Sequence, residues 1–186
     1  MDDFWQQHAR VDEEDRAGRV ERSRHVAAWL SGYDYGAHSG GEEAKIALTE
    51  AIYCYVYHLP LAAIASAHIF CERELAGLFG HLLNGQPKGW EHWGLGPLVD
   101  EAFRRDWISS DLAEDLRRLT AVRRGLGHFR RPTAPDSLFS RRLDFLPLPE
   151  FVDGSTILLH DAADALQSAF RLGYDRREGF WRMTPS

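Results

Sequence analysis

Apolar residues recur along this chain at the three-to-four-residue spacing of helices, and nowhere alternate for long enough to mark a sheet. Residues 12–30 read as a polar, amphipathic helix ending in AAWL, followed by a glycine-rich loop, GYDYGAHSGGEE, over 32–43. A second helix is predicted from about Glu43 to His58. Pro60 then suits the first turn of a third, LAAIASAHIFCERELAGLFGHLL. NGQPKGWEHWG is a loop in which Trp90 and Trp93 flank His92. Leu95, Leu98, Val99, Ala102, Phe103 and Trp107 follow helical spacing through LGPLVDEAFRRDWI. Ser109 or Ser110 then caps DLAEDLRRLTAVRR, whose first turn is acidic. A long proline-containing connection over 130–154 has room for a short extended segment, and Ser155 caps a last helix reaching about Leu172. The remaining tail reads as frayed, with Phe180 and Trp181 as its docking residues. The expectation is an all-α fold, a compact bundle of five to six helices.

Composition fits that picture. With 186 residues, 44% hydrophobic and 27% charged, the chain has the material for a single globular domain, 1–186. A formal net charge of -6 argues against a surface that is basic throughout, though not against a local basic patch. The two cysteines, Cys54 and Cys71, have no metal-type spacing and read as buried, reduced thiols. The acidic N-terminus MDDFWQQHARVDEEDR has no apolar signal core, so a cytoplasmic location without membrane attachment is expected. Between Glu50 and Glu72 no Asp, Glu, Lys or Arg occurs, long enough to cross a bilayer. Pro60 and the histidines within it favour two buried helices broken at the proline.

The stretch AVRRGLGHFRRP, 121–132, carries the most informative chemistry. Leu112, Leu116, Leu119, Val122 and Leu126 form an apolar stripe. At about 100° per residue Arg123 lies within it, while Arg117 and Arg124 lie off it. Arg123 is therefore expected to face the core or a subunit interface, where it needs a carboxylate, a carbonyl or a bound anion. Glu72 and Glu74, the acids of an ERE that interrupts a very apolar helix, are its natural partners. They either pair with Arg123 structurally or orient a site. Gly125 and Gly127 weaken the helix just beyond. A C-cap at Gly127 turns His128 back toward Arg123, whereas a straight helix turns it away. Between Arg117 and Arg142 stand eight arginines and one acid, Asp136. That block is either a solvated face paired with the protein's own acids or a phosphate-binding surface. Twenty of the basic residues are arginine and two are lysine, a bias suited to bidentate phosphate contacts.

Arg123-Arg124-Gly125-Leu126-Gly127-His128 places an arginine and a histidine four residues apart at the end of an amphipathic helix. This resembles the R-x4-6-H motif of the HEPN domains, small α-helical bundles, and RDWISSDLAEDLRRLTAV is similar to the same region of the mannitol operon repressor family. The resemblance spans 44–173 as a helical core, with 1–43 as an N-terminal helix and loop and 174–186 as a tail. It implies a homodimer in which two motifs meet, and metal-independent endoribonuclease activity of a toxin or defence type. An RNA substrate and an antitoxin or regulatory protein are the implied partners. In those terms Arg123 and His128 are catalytic: His128 moves protons and Arg123 braces the phosphate. Arg124, Arg130 and Arg131 are the expected substrate-binding cations, with Glu72 and Glu74 in support. The motif departs at Arg124, where the family usually has Asn, Asp or His. A cation there either strengthens RNA binding or lowers the His128 pKa. Many relatives are non-catalytic, which leaves a regulatory or protein-interaction module as the alternative.

No cofactor and no metal is expected. His68 with Glu72 and His160 with Asp164 are each four apart on a helix, but the usual carboxylate-bridged pattern is missing. His160, Asp164, Gln167 and Arg171 read better as a solvated stripe. The tryptophans of WEHW read as core anchors rather than a base-stacking platform. No P-loop, dinucleotide fingerprint, nucleophile elbow or zinc-finger spacing occurs.

Overall fold

A computed structural model describes residues 15–31, 38–82, 84–127 and 154–174, together with Gln6, Glu13, Ala134, Leu138 and Arg141. Among these the architecture is all-α and contains no strand. Six α-helices are present: α1 (Arg16–Leu30), α2 (Gly41–Val56), α3 (Pro60–Gly80), α4 (Leu95–Arg104), α5 (Ser110–Gly127) and α6 (Gly154–Tyr174), with one 3₁₀ turn at Trp90–His92. The extended segment expected within 130–154, and the docking of Phe180 and Trp181, lie outside the described residues.

The uncharged stretch folds as a helical hairpin. α2 stops at Val56, His58 takes a left-handed φ of 59°, and Pro60 opens α3, where its missing N–H leaves no bond unmade. No described helix is long and apolar enough to cross a membrane. α3 is the hub, packing against α2, α4, α5 and α6. Its Ala63, Ile64, Ala67, Phe70, Cys71, Leu75 and Phe79 are buried together with Leu98, Val99, Leu112, Leu116, Leu166 and Phe170 from the surrounding helices.

Polar groups tie the helix ends to this hub. The Arg22 guanidinium of α1, buried, donates to the Val56 carbonyl at the end of α2 (2.8 Å) and to Asp15 (2.8 Å). Ser109 accepts the Leu112 N–H at 3.2 Å and so caps α5, one of the two serines expected to do so. The loop before α2 lies against α3 at Gly77, where a Cβ would stand 2.0 Å from the Ser39 carbonyl oxygen. Trp90 and Trp93 pack against the core, with Trp90 stacked at a tilt on Phe79. They anchor the loop, as expected, while His92 is exposed.

Candidate functional site

The stripe on α5 is real but does not bury its arginine. Leu112, Leu116 and Leu119 are buried, and Val122 and Leu126 are half-buried against the core. Arg123 continues the same line and is exposed, so the expectation that it enters the core of its own chain is corrected. Val122 and Leu126 keep the helix against the core on either side of Arg123, while the Arg123 side chain itself lies at the open edge of that line. Gly125 does not break the helix, whose described extent reaches Gly127. The interior penalty of about 1 kcal/mol at Gly125 is offset by packing of Val122 and Leu126 against the core.

The expected carboxylate partners are occupied elsewhere. Glu74, 3% exposed, accepts the backbone N–H groups of Ser39 (2.9 Å) and Gly40 (3.0 Å), and lies 3.9 Å from His38. These are the orphan donors at the start of α2, and a buried carboxylate suits them by hydrogen bonding and by the helix dipole. Glu72 does the same for α4, accepting the Leu95 N–H at 3.1 Å. Both acids of ERE therefore hold helix N-termini onto α3, and neither pairs with Arg123 in this chain.

The arginine block divides. Arg117 donates twice to Asp100 of α4, Arg118 pairs with Asp164 of α6 at 2.8 Å, and Arg141 forms a two-pronged pair with Asp161. Arg171 of α6 reaches back to Asp115 of α5 at 2.6 Å. This part of the block is a face matched to the protein's own acids. A shallow pocket between α5 and α6 is lined by Asp115, Arg118, Val122, Asp161, Asp164 and Ser168, and its charges are already paired. Arg123 and Arg124, both exposed in the last turns of α5, are not part of that ladder. His128, Arg130 and Arg131 lie outside the described residues.

One group missed by sequence reasoning stands near Arg123. His68 of α3 is half-buried, and its imidazole is pushed down to about 4, first by burial and then by the charge of Arg123. The spacing of His68 to Glu72 suggested only a metal pair. Its relation to Arg123 depends on how α3 crosses α5, which no local pattern encodes. His160 and Asp164 meet on α6 at 3.3 Å, but Asp164 is engaged by Arg118. Among the described residues no three His, Cys, Asp or Glu side chains gather as a metal site.

No family model matches the chain, and no curated protein or solved structure matches it either.

Proposed function

We propose that this chain binds RNA and cleaves it without a metal, at a site built on Arg123 and His128. The observation that carries the reading is the state of Arg123. It extends the core-facing line of α5, is exposed at the helix end, and is left by the two acids best placed to neutralise it. A guanidinium offered to solvent in this way is suited to a phosphate, whose oxygens it meets in a fork. Arg124 beside it, with Arg130 and Arg131 next along the chain, adds attraction for a polyanion. The resemblance of the Arg123–His128 spacing to HEPN nucleases supplies the reaction. In it the RNA 2′-oxygen attacks the neighbouring phosphorus as His128 takes the 2′-hydroxyl proton, and the P–O5′ bond breaks, the departing 5′-oxygen taking up a proton returned by His128 or drawn from water. A 2′,3′-cyclic phosphate and a 5′-hydroxyl end remain.

The test is incubation of the purified chain with mixed single-stranded RNA in excess chelator, followed by end analysis. Fragments ending in 2′,3′-cyclic phosphate support the reading, and intact RNA across a broad substrate set contradicts it.

A second reading, a dimerising or partner-binding module without catalysis, is favoured by a different observation. Tyr53, Tyr57, Leu59, Leu61 and Ile69, all within the uncharged α2–α3 stretch, are each about half exposed or more. Such residues suit a protein interface, with a second copy or a regulatory protein as occupant. Sedimentation of the purified chain, with and without charged substitutions at Tyr53 and Leu61, separates dimer from monomer.

A further inference from the structure

The α2–α3 hairpin carries apolar bulk on its outside as well as in the core. Tyr53 and Tyr57 stand one turn apart on α2, Leu59 follows in the connecting turn and Leu61 in the first turn of α3, each about half exposed or more. Ile69 continues from Leu61 two turns along α3 and is about half exposed. The turn itself is closed, with the Leu59 N–H on the Cys54 carbonyl at 2.7 Å and His58 at a φ of 59°. No Asp, Glu, Lys or Arg occurs from Ala51 to Cys71. At roughly 100 Å² of exposed side chain apiece, the five residues present about 500 Å² of apolar surface on one chain. Two such surfaces face to face remove about 1,000 Å² from water, the level at which a specific interface begins.

We infer that this surface is covered by a second copy of the chain, the two hairpins lying antiparallel about a two-fold axis through the Tyr53–Tyr57 line. Near such an axis each residue meets its own counterpart, so a charge there faces its like. The uncharged stretch avoids that cost, in a chain whose net charge of -6 opposes self-contact elsewhere. The rim supplies complementarity. Glu50, exposed, closes one end of the tyrosine line, and Arg19 of α1 closes the other, its guanidinium 5.7 Å from the centre of the Tyr57 ring. Antiparallel placement sets Arg19 of each copy toward Glu50 of the other, with the tyrosines between them. A partner carrying charge of one sign gains at one end and loses at the other. The inference rests on the interaction reading of these residues and not on catalysis.

The experiment is sedimentation equilibrium of the full chain and three variants, with matched helix content and thermal melts. Leu61 lies in the first turn of α3, where an acid suits the helix dipole, so Leu61→Asp removes the contact and spares the fold. The parent is expected to dimerise, and Leu61→Asp to weaken the dimer at least about thirtyfold. Glu50→Arg sets it against Arg19 of the other copy and is expected to weaken the dimer about tenfold. Arg19→Glu combined with Glu50→Arg exchanges the two rim charges and is expected to recover most of that loss. A parent that stays monomeric at about 200 μM overturns the inference, as does a double reversal that associates no better than Glu50→Arg alone. A dimer indifferent to Leu61→Asp also overturns it and leaves dimerisation to another face. RNA cleavage is measured in parallel. Cleavage by a monomeric parent removes this inference and leaves the nuclease reading, and a dimer of this kind that cuts no RNA removes the nuclease reading alone.

Discussion

Arg123 and Glu74 are a contrasting pair of charges. Glu74 is buried and accepts two backbone N–H bonds, so Glu74→Ala leaves the start of α2 unsatisfied and is expected to lose about 2–3 kcal/mol of stability in urea melts. Arg123 is exposed and anchors nothing in the described fold, so Arg123→Ala is expected to stay within about 0.5 kcal/mol of the parent protein. A structural ion pair between the two would make both losses large. The singular placement of Arg123 on the core line was readable from spacing alone. Its emergence from the core was not, because that depends on how far along α5 the partner helix reaches. The partners of Glu72 and Glu74 were also hidden, being backbone N–H groups 23 to 35 residues away that no side-chain pattern announces. His68 adds a pH effect. Its folded value of about 4 lies below the ordinary 6.5, so the unfolded chain binds the proton more readily between those values. Stability is therefore lost as pH falls from about 6.5 toward 4, by about 1 kcal/mol after allowance for partial exposure. Urea midpoints of the parent and His68→Gln are expected to converge over that range, with the parent falling faster.

Helix by helix, the sequence foretold more than it did for single charges. Pro60 announced the α2–α3 turn, and the apolar spacing of α4 and α5 is the burial pattern observed except at Phe103, which is exposed. Glycine was the weak signal. Gly125 and Gly127 suggested a helix end, and Gly125 lies inside α5, whose described extent closes at Gly127, with Leu126 between them still packed against the core. Gly77 gave no hint of its role, which is to let the Ser39 backbone lie on α3. Gly77→Ala puts a methyl group into that backbone and is expected to lower stability by about 1–3 kcal/mol, read from thermal melts. The thiols test the same packing. Cys71 on α3 is fully buried and its thiol is pushed up by that burial, whereas Cys54 on α2 is partly exposed. A thiol reagent is expected to modify Cys54 in the folded protein and Cys71 only on unfolding; equal rates would contradict the hub position of α3.

For the whole molecule, the all-α bundle followed from the absence of alternation and the repeated helical spacing, which are long-range averages and survive local misreadings. The distribution of charge did not follow so simply. Eight arginines in one block posed a choice between a self-paired face and a phosphate surface, and the folded chain pairs part of that block with its own acids. Arg117, Arg118 and Arg141 are matched by Asp100, Asp164 and Asp161, while Arg123 and Arg124 project at the end of α5. Sequence order alone puts all of them together; only the packing of α4 and α6 against α5 sorts them. The central claim is that the unmatched end of α5 is where RNA is held and cut. It is tested most directly by RNA cleavage in chelator, comparing the parent protein with Arg123→Ala, His128→Ala and Arg118→Ala at matched folding. The account predicts cleavage with cyclic-phosphate ends by the parent and by Arg118→Ala, and its loss by at least about a hundredfold in the other two. Cleavage that persists in Arg123→Ala and His128→Ala, or a parent protein that cuts no RNA, would contradict it.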